Sequence, residues 1–181
     1  MGVFFYNHKM SLIPKILIIA GSDSGGGAGI QADIKTITYF KAYAMTAVTA
    51  ITAQNTIGVQ SIFPLPKEIV INQIQSVLSD LSPDVIKIGM LADIEIINYI
   101  SKNMRDFKIV LDPVMVATSG DVLVDENIID SIKNSLIEKS FLITALSYES
   151  HIVISISQIQ TFRLGIFDIL IFFIISILFF L

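Results

Sequence analysis

The chain has 181 residues, with 12 lysines and arginines against 16 aspartates and glutamates, and a formal charge of -4. That length suits one domain with a real core, and a pI near 5.0 argues against a nucleic-acid binder, which usually shows a basic patch. The absence of cysteine, with only His8 and His151 as histidines, excludes a disulfide framework, a thiolate metal site and a cysteine nucleophile, and leaves little for zinc.

Hydrophobic residues make up 53% of the chain and the mean hydropathy is +0.73. The excess gathers after Ser140, above all in 165–181, where Asp168 is the only charge. At the other end, MGVFFYNHKMSLIPK lacks the long apolar core and small-residue cleavage site of a signal peptide. It also misses the Ser/Thr of a myristoylation signal. Met10 offers a second start, and residues 1–14 read as an N-terminal extension without an assigned function.

From Lys15 the pattern becomes regular. Ile16–Ala20 is a short β-branched run that ends in glycine, the mark of a buried strand. The loop GSDSGGGAG follows, and then helix-spaced apolar positions at Ile30, Ile34, Ile37 and Phe40. Met45–Thr52 reads as a second strand and Pro66–Leu81 as a helix with apolar spacing at Ile69, Ile74 and Leu78. Asp84–Gly89 is a third strand, and Asp93–Met104 an amphipathic helix with Asp93 as its N-cap. Lys108–Asp112 is a fourth strand, Asp125–Leu136 a helix and Phe141–Thr144 a fifth strand. Strands alternating with helices favour an α/β fold whose parallel sheet is covered on both faces.

After Thr144 the alternation loses its turn signals: the remainder has no proline and a single glycine, Gly165. Segment 165–181 stands at the lower edge of the roughly 17–25 residues that span a bilayer. Three readings compete: a membrane anchor, a buried helix, or sequence unrelated to the fold, as out-of-frame translation of an AT-rich gene would give. The last stands first, and no lysine or arginine follows the apolar run to flank a normal span.

Polar residues gather where the strands end. Ala20–Gly29 joins a strand to a helix, where open α/β sheets bind ligands, and its glycines and helix N-terminus suit a close or anionic ligand. The loop matches neither G-x-x-x-x-G-K-[ST] nor G-x-G-x-x-G, so a bland glycine-rich turn stays open. Asp33, in the first turn of the next helix, is either a carboxylate complementing the helix dipole or an acceptor for a ligand amino group. Gln54-Asn55 suits an uncharged heterocycle because an amide both donates and accepts, although turn chemistry fits Asn55 better. Met90 covers an aromatic ring or fills the core. Asp112 holds water on Mg²⁺ near a triphosphate or caps a turn, and Thr118–Asp121 is a small polar loop. Together these ends would line one edge of the sheet.

Four blocks carry a resemblance: AGSDSGGGAGIQADIKT, TAVTAITAQNTIGVQS, VIKIGMLAD and VLDPVMVATSGD. In this order and spacing they resemble the hydroxymethylpyrimidine/phosphomethylpyrimidine kinases of the ribokinase-like group, over roughly Lys15–Thr144. The resemblance implies a ribokinase-like three-layer sandwich with a mainly parallel central sheet, C-terminally truncated. It divides the chain into the extension 1–14, an incomplete kinase domain 15–144 and a divergent apolar tail 145–181.

It further implies a cytoplasmic, homodimeric kinase of thiamine biosynthesis that uses ATP and Mg²⁺. Its small-molecule substrates would be 4-amino-5-hydroxymethyl-2-methylpyrimidine and its monophosphate. Gly21, Asp33, Gln54 and Met90 would hold the pyrimidine, Asp33 and Gln54 at its polar edge and Met90 on the ring, with Asp112 near metal and phosphates. The family's Asn-x-x-Glu segment and Gly-Thr-Gly-Cys loop have no counterpart here, so no catalytic residue is assigned and phosphoryl transfer is expected to be impaired. A non-catalytic remnant, membrane-associated through 165–181, is the alternative. A nicotinamide dinucleotide-binding enzyme shares the architecture but lacks its third glycine and a clear catalytic histidine.

Overall fold

The computed structural model describes residues 13–115, 123–146 and 152–155. In chain order the elements are β1 (Lys15–Asp23), α1 (Gly29–Tyr39), β2 (Tyr43–Gln54), β3 (Val59–Pro64), α2 (Lys67–Asp80), β4 (Val85–Ile88), α3 (Ile94–Asn103), β5 (Lys108–Leu111), α4 (Glu126–Ser135), a short 3₁₀ turn (Ile137–Lys139), β6 (Leu142–Leu146) and β7 (Ile152–Ser155). The strands form one sheet in the order β3-β2-β1-β4-β5-β6-β7. Strands β2, β1, β4, β5 and β6 are mutually parallel, while β3 and β7 run antiparallel at the two edges.

Side chains on a strand alternate between faces, and two cores result. Leu17 and Ile19 of β1, Ile86 and Ile88 of β4, and Ile109 and Leu111 of β5 face one side. There they meet Val70 and Ile74 of α2, Ile96, Ile97 and Ile100 of α3, and Ile128 and Ile132 of α4. Ile16, Ile18 and Ala20 of β1, Val85 of β4, Val110 of β5 and Leu142 of β6 face the other side, where Ile30 and Ile37 of α1 cover them. This is the layered α/β sandwich with a mainly parallel sheet expected of the ribokinase-like group.

The helices begin where local chemistry permits. Asp93 caps α3 by accepting from the N–H groups of Glu95 (2.6 Å) and Ile96 (3.2 Å), as its position before the apolar run predicts. Asp125 does the same for α4 through the N–H of Ile128, at 3.0 Å. Two strands go beyond the sequence reading. β3 forms a hairpin with β2, and β7, inside the expected tail, pairs with β6 from Ile143↔Ser155 to Leu146↔Ile152. β7 therefore stands beyond β6 at that edge of the sheet.

No helix of the described residues is long and apolar enough to cross a membrane. Segment 165–181, to which the membrane-anchor reading applies, lies outside the described residues, as does Thr118–Asp121.

The candidate pyrimidine and phosphate site

Because the central strands are parallel, their carboxyl ends share one edge, and the chain reverses direction across the sheet at β1 and β4. Ligands in open α/β sheets bind outside such a switch point. The loop after β1 is organised from within. The Asp23 carboxylate, 5% exposed, accepts from the N–H groups of Gly25 (2.7 Å), Gly27 (2.9 Å) and Ala28 (2.8 Å). These amides would otherwise form an anion-binding cradle of the kind expected from a glycine-rich loop. Here the chain supplies the anion itself, so this stretch serves to fix the loop. Gly26 and Gly29 take positive φ values of 74° and 56°, which the turn into α1 requires.

The loop is tied to its neighbours on both sides. The Ser24 hydroxyl donates to the Gln54 carbonyl and accepts from the Gln54 N–H, both at 2.8 Å. The single Thr52 hydroxyl proton is shared between the Ser22 carbonyl at 3.0 Å and the Gln54 side-chain oxygen at 3.1 Å. Gln54 is thus held beside the end of β1, with its amide NH₂ making no hydrogen bond among the described residues. Asn55 follows the turn reading: its Oδ1 accepts from the N–H groups of Ile57 and Gly58.

Gly21 and Met90 meet at the β1–β4 crevice. A β-carbon on Gly21 would lie 3.6 Å from the Met90 sulfur. Met90 itself is 7% exposed and joins the larger core, while its carbonyl accepts from the Thr49 hydroxyl at 2.8 Å.

Asp33 and Asp112 come together through a residue that the sequence reading did not single out. Lys87 sits in the middle of β4 (VIKI), and strand alternation turns it toward α1. Its Nζ lies 2.9 Å from Asp33 Oδ2 and 3.4 Å from Asp112 Oδ2. Asp33 is the fifth residue of α1, beyond its first turn, so the dipole-complementing alternative gives way to an ion pair with the sheet.

Burial pushes the Asp33 carboxyl above the usual range, against the pull of the Lys87 ammonium and with the help of the Asp112 charge. For Lys87 burial opposes the charge, but the carboxylates of Asp33 and Asp112 outweigh it and hold the ammonium above the ordinary lysine range. The signal in the sequence was a lone charge inside an apolar strand, where both faces are covered and an unpaired ammonium would be costly.

The five residues expected at a ligand therefore fall in three groups along one edge: Gly21 with Met90, Gln54 against the β1 loop, and Asp33 joined to Asp112 by Lys87. Among the described residues no cluster of three His, Asp or Glu side chains could hold a metal.

The phosphomethylpyrimidine kinase family model matches residues 23–164, continuing past the Thr144 limit of the resembling blocks. The hydroxymethylpyrimidine/phosphomethylpyrimidine kinase of Bacillus subtilis is 44% identical over 135 residues, covering 73% of this chain and 50% of the relative. The chain thus spans about half the length of that curated relative. The crystal structure of phosphomethylpyrimidine kinase from Clostridium difficile superposes with a TM-score of 0.65 at 42% identity, covering 72% of this chain and 58% of that one. Pyridoxal kinase from Staphylococcus aureus in complex with AMP-PCP gives 0.63 at 34% identity, covering 72% and 49%. The chain belongs to the phosphomethylpyrimidine kinase family.

Proposed function

We propose that this chain carries the pyrimidine-binding half of a hydroxymethylpyrimidine/phosphomethylpyrimidine kinase of thiamine biosynthesis. The observation that carries the reading is the shared edge, where a fixed carboxylate (Asp33), an amide with a free NH₂ (Gln54) and an apolar wall (Met90 beside Gly21) stand along the carboxyl ends of the strands. A 4-aminopyrimidine offers a matching set: an amino donor for Asp33, a ring nitrogen acceptor for Gln54, and a flat face for Met90. The Staphylococcus aureus neighbour was solved with an ATP analogue, which supports ATP as the phosphoryl donor.

Asp112 is the one described residue assigned to the phosphate end. Mg²⁺ that arrives with a triphosphate keeps most of its waters and needs only one or two carboxylates, so Asp112 fits that role. Bound there, the nucleotide and its metal would supply the phosphoryl group and neutralise its charge. This chain's residues would orient the hydroxymethyl group toward Asp112 by holding the ring at Asp33, Gln54 and Met90. A homodimer in the cytoplasm is the state that the resemblance implies, and sedimentation of the purified chain tests it.

Binding is the part of the activity that the described residues address, so calorimetry with 4-amino-5-hydroxymethyl-2-methylpyrimidine is the direct test. Asp33→Asn and Gln54→Ala are each expected to weaken it roughly tenfold or more, the usual loss for a buried polar partner. Folded protein that shows neither binding nor thermal stabilisation at millimolar ligand would overturn the reading.

A further inference from the structure

Two carboxylates around one ammonium is more negative charge than a structural ion pair needs. Asp33 alone would compensate Lys87, and buried pairs add little stability over apolar side chains of the same shape. The surroundings nevertheless make room for this cation. A β-carbon at Gly89 would press on the Ala20 side chain at 2.9 Å and approach Lys87 Nζ to 3.3 Å, so the glycine two positions along keeps the ammonium's place clear. Lys87 is 7% exposed, and its Nζ bridges a helix residue and a strand-end residue that have no other tie between them among the described residues. Asp33 uses only Oδ2 for this pair; Oδ1 accepts no hydrogen bond among the described residues, and the side chain keeps 15% of its surface open.

We propose that Lys87 is a positioning residue of the ligand site: it locks the Asp33 carboxylate through Oδ2 so that Oδ1 faces a ligand amino group, and thereby sets the preference for 4-aminopyrimidines. The inference rests on the reading that Asp33 meets the amino edge of the ring. An unpaired Asp33 would rotate freely or take up a proton, and a protonated carboxyl offers a poorer acceptor. A lysine that only held α1 to the sheet would, when lost, weaken all ligands alike.

The test compares, by calorimetry, binding of 4-amino-5-hydroxymethyl-2-methylpyrimidine with binding of 5-hydroxymethyl-2-methylpyrimidine, which lacks the amino group. Wild type is expected to favour the amino compound by about tenfold or more, the order of one hydrogen bond to a charged group. K87M should bring that ratio close to one. Because K87M leaves two buried carboxylates without a cation, K87M/D112N is measured beside it, with D112N as its control.

D112N keeps the Lys87–Asp33 pair and should keep the preference, whereas the double variant should lose it. Folded K87M or K87M/D112N protein that retains the wild-type ratio would overturn the role of Lys87 while leaving the pyrimidine reading intact. Wild type that binds neither compound, or both equally, would overturn the two together.

Discussion

A β-carbon added at Gly29 would run into the Gly21 carbonyl oxygen, and the φ of 56° there already lies in the left-handed region. At Gly21 the same addition meets only ordinary contacts, the Met90 sulfur at 3.6 Å and the Ala50 carbonyl at 3.8 Å. The fold therefore demands glycine at 29 but has no steric reason for it at 21, and the space left beside Met90 suits a ligand. Gly29→Ala is expected to cost about 2 kcal/mol or more through clash and backbone strain. Gly21→Ala should leave stability within about 1 kcal/mol of wild type and still reduce affinity for the pyrimidine. Urea titration and calorimetry on both variants separate the two roles. A Gly21→Ala protein that is stable and binds normally would remove Gly21 from the site.

At the scale of elements, β6 combines two demands. Ile143 packs into the larger core and Leu142 into the smaller one, while Thr144, 7% exposed, has no hydrogen-bond partner for its hydroxyl among the described residues. It stands one step beyond the Leu111↔Ile143 pair, level with Asp112 on the face that turns toward α1. An unpaired buried hydroxyl costs on the order of 1–3 kcal/mol, so Thr144→Val should raise stability by about 1 kcal/mol, read as a higher urea midpoint. A lower midpoint would mean that the hydroxyl is satisfied in solution.

The sequence anticipated β6 because FLIT is a compact apolar run, and it anticipated α3 and α4 because an aspartate precedes each periodic stretch. It did not yield β3, whose VQSIFP carries exposed and half-buried positions only and ends in proline, since an edge strand has just one neighbour to shape it. Nor did it yield β7, whose place depends on pairing with β6. Gln54 and Asp112 were visible as polar residues at strand ends, and Asp33 as a carboxylate expected in the first turn of α1 but found beyond it. Lys87 was not, because its role exists only once β4 lies between α1 and β5.

Across the whole molecule, the parallel sheet gathers polar groups from distant parts of the chain onto one edge and then buries them. Asp33, Lys87 and Asp112 come from α1, β4 and the end of β5, and their desolvation works against folding. If the cluster serves binding, the fold alone should not need it. Replacing it as a unit, D33L/K87M/D112L, is expected to be neutral or to stabilise by roughly 1–4 kcal/mol, while pyrimidine binding disappears.

The pH dependence gives an independent reading of the same variant. Asp33 is raised from 3.8 and Lys87 from 10.5, so in both cases the folded state holds the proton more tightly than the unfolded chain. Wild type should thus lose stability relative to the triple variant as pH rises through each window. One window opens above 3.8; the other opens above 10.5, where Lys87 surrenders its proton between Asp33 and Asp112. Groups common to both proteins cancel in the difference. Thermal melts of the pair from about pH 4 to pH 11 follow that difference. A constant difference would show that folding leaves the proton affinities of Asp33 and Lys87 unchanged, whereas a triple variant that unfolds would show that the cluster holds the structure together.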